Sequence, residues 1–176
     1  MHPGYLLIIV GAFIKIDIPL PLYTMHFTLQ WFFVIMAGLL LGEKLGALSV
    51  TVYIVLGLVG IPIFAAGGGP AYVLRPGFGF LLGFILAAYM IGYILRKTQK
   101  QGTGMMITAA TVGMLAYYTV GAVYFYLIKN LYAGESVSFG VIVVTYCLIT
   151  VVPDFILCIL ASMVCSKIKP LLNRGL

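Results

Sequence analysis

GLVGIPIFAAGGGPAYVLRPGFGFLLGF, residues Gly57 to Phe84, decides how the rest of the chain is read. Two apolar runs meet there at a connection of glycines, prolines and one arginine. Gly67, Gly68 and Gly69 followed by Pro70 cannot continue a helix, because glycine loses the most backbone entropy on ordering and proline lacks an N–H and clashes with the preceding turn. The chain is therefore expected to leave one helix near Ala65 and to enter another near Phe78. Arg75, followed by Pro76 and Gly77, is left among apolar neighbours. A cation kept there needs a partner, and a ligand is one candidate.

Composition says what solvent surrounds those runs. Of 176 residues, 63% are hydrophobic and 8% charged, against about 25% charged in an ordinary soluble domain, and the mean hydropathy is +1.18. The chain is expected to be an integral membrane protein. A helix needs about 20 apolar residues to cross a bilayer, and the runs fill the chain from end to end, leaving no room for a soluble domain. Runs such as LLIIVGAFI and GVIVVTYCLITVV are apolar on all sides, whereas a β-barrel strand alternates. The expected fold is all-α: a polytopic bundle of six transmembrane helices forming a single transmembrane domain over 1–176, both termini cytoplasmic.

The spans are placed at 4–18, 28–42, 46–65, 78–95, 104–128 and 139–165. Gly4 to Ile16 lacks the basic front and cleavage site of a signal peptide and is expected to be part of a span that stays in the protein. Pro19 and Pro21 make IPLPLYTMHFTLQ, residues 18–30, a structured loop. Six spans put Lys44, Arg96, Lys97, Lys100, Lys167, Lys169 and Arg174 on one side with Glu43, which the positive-inside rule makes cytoplasmic. The breaker-rich connections then fall outside, with Lys15, Asp17, Arg75, Lys129 and Glu135. The net charge of +6 is topology and not a nucleic-acid surface, since the basic residues are not interleaved with aromatics on a solvated face. Of two GxxxG patterns, Gly79 to Gly83 is expected to mark helix packing, while Gly42 to Gly46 straddles a turn and is set aside as incidental.

Asp154 is the most expensive residue in the chain. It stands about 15 residues, roughly 22 Å, into the last span, where a carboxylate costs at least about 2.5 kcal/mol on insertion scales. It should face the bundle interior, either accepting ligand N–H groups or bonding a Tyr or Thr on another helix. Arg75 can pair bidentately with a small anionic ligand, with snorkelling to lipid phosphates as the alternative. Tyr72, Phe78 and Phe80 could wall such a site, or simply pack. Thr28 and Gln30 can contact a ligand or cap the second helix. Lys15 and Asp17 are expected to pair locally, His26 to be a loop residue, and Cys147, Cys158 and Cys165 to be buried small hydrophobes. Four acidic residues, no P-loop and no GxSxG elbow give no catalytic or metal residues, so the chain is not read as an enzyme.

Together IPLPLYTMHFTLQ (18–30), LLLGEKLGALSVTVYIVLGLVGIPIF (39–64), RPGFGFLLGF (75–84) and PDFIL (153–157) resemble, in order and spacing, the BioY family. These are the biotin-binding S components of energy-coupling-factor vitamin transporters. The resemblance covers nearly the whole chain. It implies a multi-pass protein of a prokaryotic cell membrane that captures biotin from outside, needs no cofactor, and works with a transmembrane coupling subunit and ATPase subunits. It also carries Arg75 and Asp154 onto ligand-binding positions, with the loops after spans one and three helping to close the site. Three features depart from the family. Leu157 stands where many members carry a lysine, His26 replaces a proline common before TLQ, and span one shows no clear AxxxA. An S component for thiamine or riboflavin, a polytopic membrane enzyme and a structural membrane subunit are the alternative readings.

Overall fold

The computed structural model describes residues 4–19, 25–100 and 102–174. Helix α1 (Gly4–Phe13) is followed by an antiparallel ribbon of β1 (Lys15–Ile18) and β2 (Met25–Thr28), paired from Lys15 opposite Thr28 to Ile18 opposite Met25. Then come α2 (Gln30–Val59), a 3₁₀ turn at Pro70–Leu74, α3 (Phe78–Thr98) and α4 (Thr103–Leu127), which runs on through a π turn to Tyr132. Short α5 (Phe139–Ile142) continues through a π turn, Val143–Leu148, into α6 (Ile149–Arg174). Among the described residues, four helical stretches are long and apolar enough to cross a membrane: Gln30–Val59, Phe78–Thr98, Thr103–Tyr132 and Phe139–Leu171. Gly4–Phe13 is a shorter apolar helix.

Two expected spans are shorter than the hydropathy suggests. The first helix ends at Phe13, and what was expected as its last turn is strand β1. The prolines explain the change: Pro19 biases the residue before it toward extended backbone, and extended segments satisfy their backbone groups by pairing with each other. His26 therefore lies on a strand, not in an irregular loop. The expected tip of the loop, Leu20 to Thr24, lies outside the described residues. The helix expected to reach Ala65 stops at Val59, where Gly60 takes a left-handed φ of 119° and closes the last turn.

Within α2 the backbone breaks at Gly42, with φ 80° and ψ −177°. A Cβ on Gly46 would lie 2.9 Å from the Ala37 carbonyl oxygen, although nine residues of straight helix span roughly 13 Å. One on Gly4 would meet both Leu41 and Ser49. The chain therefore folds back at Gly42, and α2 is a hairpin of two helical arms. The Gly42 to Gly46 pattern is not incidental: Gly42 supplies the positive φ and Gly46 the close approach of the arms.

Small residues set the packing of α3. A Cβ on Gly92 would lie 2.1 Å from the Glu43 backbone nitrogen, and one on Gly83 would lie 2.7 Å from the Cα of Tyr117. Gly79, as expected, sits against Tyr124 on α4. These contacts bring α3 against the Gly42 turn on one side and α4 on the other, which carries α4's mid-helix tyrosines toward Trp31 on α2. Cys147, Cys158 and Cys165 are buried free thiols. Charged groups gather at the two ends of the bundle. At one end Arg96 Nε lies 2.9 Å from Glu43 Oε2 and Lys169 donates to the Leu39 carbonyl at 2.9 Å. At the other, Lys15 pairs with Asp17 at 3.7 Å and Lys129 with Glu135 at 2.8 Å.

Candidate ligand cavity

A cavity of about 120 Å³ lies between α2, α3, α4 and α6. Its polar floor is Asp154, 4% exposed. The Tyr117 and Tyr118 hydroxyls both donate to Asp154 Oδ2, the second at 2.5 Å, and Tyr118 also meets Thr150 Oγ1 at 3.0 Å. The two tyrosines are neighbours on α4, and their rings meet at 4.5 Å. Thr150 stands one turn before Asp154 on α6, so its hydroxyl is carried to the same side of that helix. Pro153 has no N–H, which denies the Ile149 carbonyl its ordinary helical donor and makes this turn more polar still. Both tyrosine bonds use one carboxylate oxygen, and Oδ1 has no tyrosine on it. Of the two sequence readings of Asp154, bonding to a tyrosine on another helix is thus realised, and the residue lines a cavity as well.

The walls are aromatic. Trp31 contacts Tyr117 at 4.5 Å between ring centroids and stacks on Phe84 at 5.7 Å, and Phe80 meets Tyr117 edge to face at 6.3 Å. Phe125 and Tyr146 close another side, 4.5 Å apart. Gln30 and Trp31 also line this space, each 2% exposed, Gln30 interacting with Tyr53 and Trp31 with Cys158, and neither Gln30 Nε2 nor Trp31 Nε1 has a hydrogen-bond partner of normal geometry. A buried donor left in that state costs about 1–3 kcal/mol, a cost that an acceptor entering the cavity relieves. Thr28 Oγ1 accepts a long 3.4 Å bond from the Gln30 N–H, so Thr28 both heads α2 and lines the cavity.

The cover is built from the stretch that decided the fold. Gly57 offers its carbonyl to the N–H groups of Gly60, at 3.3 Å, and Gly69, at 2.7 Å, which folds the loop back over the helix end. The Phe64 ring occupies the space beside Gly57, where a Cβ would come within 2.1 Å of it. There it lies 5.4 Å from Tyr53 and 4.5 Å from Tyr72. Tyr124 on α4 donates to the Val73 carbonyl at 2.5 Å and ties the 3₁₀ turn to the bundle. Lys15 on β1 donates to the Ala65 carbonyl at 2.6 Å, so the ribbon and this loop are joined over the same cavity, which Ala65 lines.

Of the residues singled out in the sequence, Thr28, Gln30, Tyr72, Phe80 and Asp154 line one cavity. Arg75 and Phe78 do not. Arg75 is exposed, with its guanidinium 5.1 Å from the Tyr72 ring centre on the outer side of the loop. Phe78 is buried behind Tyr72, the rings 6.3 Å apart, and packs on Tyr124. Trp31, Tyr117, Tyr118, Phe125, Tyr146 and Thr150 were not singled out. A signal existed for some of them: Tyr117 and Tyr118 put two hydroxyls midway along an apolar run, at a depth similar to Asp154. Leu157 is a buried apolar residue.

A helical membrane protein with an aromatic cavity roofed by loops and floored by one carboxylate has the layout of a small-molecule carrier or receptor. Comparison with known proteins narrows the class. The model of the BioY family matches residues 2–174, and the chain belongs to that family. A probable biotin transporter BioY of Lysinibacillus sphaericus is 40% identical over 159 residues, covering 90% of this chain and 79% of the relative. The biotin transporter BioY of Thermotoga maritima is 34% identical over 169 residues, covering 94% and 90%. Among solved structures, the 2.1 Å crystal structure of the S-component for biotin from an ECF-type ABC transporter superposes with a TM-score of 0.82 at 26% identity. That match covers 95% of this chain and 87% of the other.

Proposed function

We propose that this chain captures biotin at the outer face of a prokaryotic plasma membrane, as the substrate-binding subunit of an ECF-type transporter, and that it is a carrier with no enzymatic step of its own. The observation that carries the reading is the aromatic-walled cavity with one carboxylate at its floor, whose Oδ1 takes no tyrosine hydroxyl. Biotin supplies what that cavity lacks: a ureido ring with N–H donors for Asp154 Oδ1, a carbonyl acceptor for the Gln30 or Trp31 N–H, and an apolar bicycle for the aromatic walls. Its valeryl chain would run toward Tyr72 and leave its carboxylate beside the loop that bears Arg75. Arg75 then acts as an anion anchor that folds inward from its outer position when ligand is present, and Phe78 supports Tyr72 from behind.

The same proposal takes the Gly42 hairpin as two membrane helices, which with α1, α3, α4 and α5–α6 makes six, both termini on the cytoplasmic side with Lys44, Arg96 and Lys169. Uptake would need a coupling subunit and ATPases, since the chain carries no nucleotide-binding motif. Equilibrium binding of labelled biotin to the purified protein in detergent tests the function. Saturable binding that excess thiamine and riboflavin leave untouched is expected. Co-purified flavin or thiamine, with no biotin uptake, overturns the assignment.

A further inference from the structure

We infer that the basic end of the bundle holds the phosphate head of an anionic phospholipid, in a second cavity of about 510 Å³ between the Gly42 turn, the end of α3 and the end of α6. Three cations line it, Lys44, Arg96 and Lys169, against one carboxylate, Glu43. Glu43 is buried and paired through Oε2 with Arg96 Nε at 2.9 Å. No hydrogen bond reaches Glu43 Oε2, so this is an ion pair by distance that leaves the five N–H groups of the guanidinium available, and the Arg96 side chain remains 65% exposed. Lys169 donates to the Leu39 carbonyl at 2.9 Å, near the end of the first α2 arm where helix carbonyls lack helical donors. An ammonium has three N–H donors, so this bond leaves two. Lys44 is exposed. The cavity thus presents unspent donors from three elements and an excess of positive charge, while a Cβ at Gly42 would meet nothing within 4 Å. It fits a small polyoxygen anion.

The surroundings favour an anion that carries acyl chains over a free one. Leucines 39, 40, 41, 45 and 95 supply the rest of the wall. Leu45 is 39% exposed and Leu48, one turn on, is 55% exposed, so an apolar face leads out of the cavity along the second arm of α2. On α3 the exposed Tyr89 and Tyr93 stack at 6.2 Å, and Arg96 and Lys97 lie 5.5 and 5.9 Å from the Tyr93 ring centre. Amphipathic rings with cations at their polar edge mark the level of lipid headgroups. A phosphodiester at that level would bridge Lys44, Arg96 and Lys169, and so tie the Gly42 turn to α3 and α6. This inference stands apart from the biotin reading, because no residue of the ligand cavity takes part.

Native mass spectrometry of delipidated protein, titrated with phosphatidylglycerol or with phosphatidylcholine of the same chains, tests it. Wild type should bind the anionic lipid at least tenfold more tightly. Since each lysine near an anionic headgroup contributes about fivefold, the K44Q/K169Q variant should lose about twenty-fivefold, while K100Q, exposed and outside the cavity, should stay within twofold. K44Q alone, a surface change, should lose about fivefold and keeps the test open if the double variant does not purify as a monodisperse species. Equal affinity for the two lipids, unchanged affinity in K44Q and K44Q/K169Q, or displacement of the anionic lipid by millimolar inorganic phosphate would each overturn the inference.

Discussion

The floor and the roof of the ligand cavity are built by opposite means. Asp154 is held by two phenols on a neighbouring helix, with Thr150 beside it and bonded to one of them, all on α4 and α6. Arg75 follows a 3₁₀ turn secured by the Tyr124 to Val73 bond and by aromatic contacts, and it is exposed and does not line the cavity. A group fixed in place beforehand adds selectivity without an ordering cost at the moment of binding, whereas one that must be recruited adds its contact only after the loop is reordered. The floor should therefore decide which molecule binds, and the roof how long it stays.

The largest effect should come from the floor. Asp154→Ala removes the acceptor for the ureido N–H groups and should weaken biotin binding about a hundredfold or more, as loss of one partner of a buried charged pair does. It also removes an intramembrane charge, which offsets the acceptor lost to the Tyr117 and Tyr118 hydroxyls, so yield and melting temperature in detergent should change little. A collapse of both together would mean that Asp154 is structural, and the contrast would break.

Gly57→Ala comes next. A Cβ there would enter the space of the Phe64 ring, and such overpacking costs about 1–3 kcal/mol. The ring should be driven out of the roof, weakening binding by roughly thirtyfold, mostly through faster dissociation. Stopped-flow release of labelled biotin would show it.

Arg75→Ala should cost about tenfold for biotin and almost nothing for biotin methyl ester, which lacks the anion. Equal losses for both ligands would remove Arg75 from the site. The smallest effect belongs to Lys15→Ala, which severs the bond between the ribbon and Ala65. With Lys15 partly exposed, about 0.5 kcal/mol is expected, read as a two- to threefold faster release with an unchanged association rate.

How far the sequence revealed these regions follows from where the physics is local. Gly67 to Pro70 and Pro19 break helices by their own covalent geometry, so the interruptions could be read without tertiary information. Asp154 announced itself because a charge in an apolar run must be compensated wherever the helices lie. Its partners could not be deduced in the same way, since Tyr117 and Tyr118 reach it only because Gly79 and Gly83 let α3 and α4 pack closely enough to orient that helix. Position along a sequence also says nothing about which side of a loop a side chain takes. Arg75 was therefore rightly placed in the roof segment but stands on its outer face, and the conformational step that would bring it inward is invisible to hydropathy. The hairpin at Gly42 was legible as a turn, while the role of Gly46 required knowing that the arms meet.

One feature of the cavity wall makes the molecule its own instrument. Trp31 is the single tryptophan in the chain, 2% exposed and in ring contact with Tyr117, the residue that grips Asp154. All indole fluorescence of the intact protein therefore originates at the ligand cavity. A molecule arriving at the floor changes the polarity around that one fluorophore, and filling or emptying can be followed optically in unlabelled wild-type protein, with no substitution and no background from elsewhere in the fold.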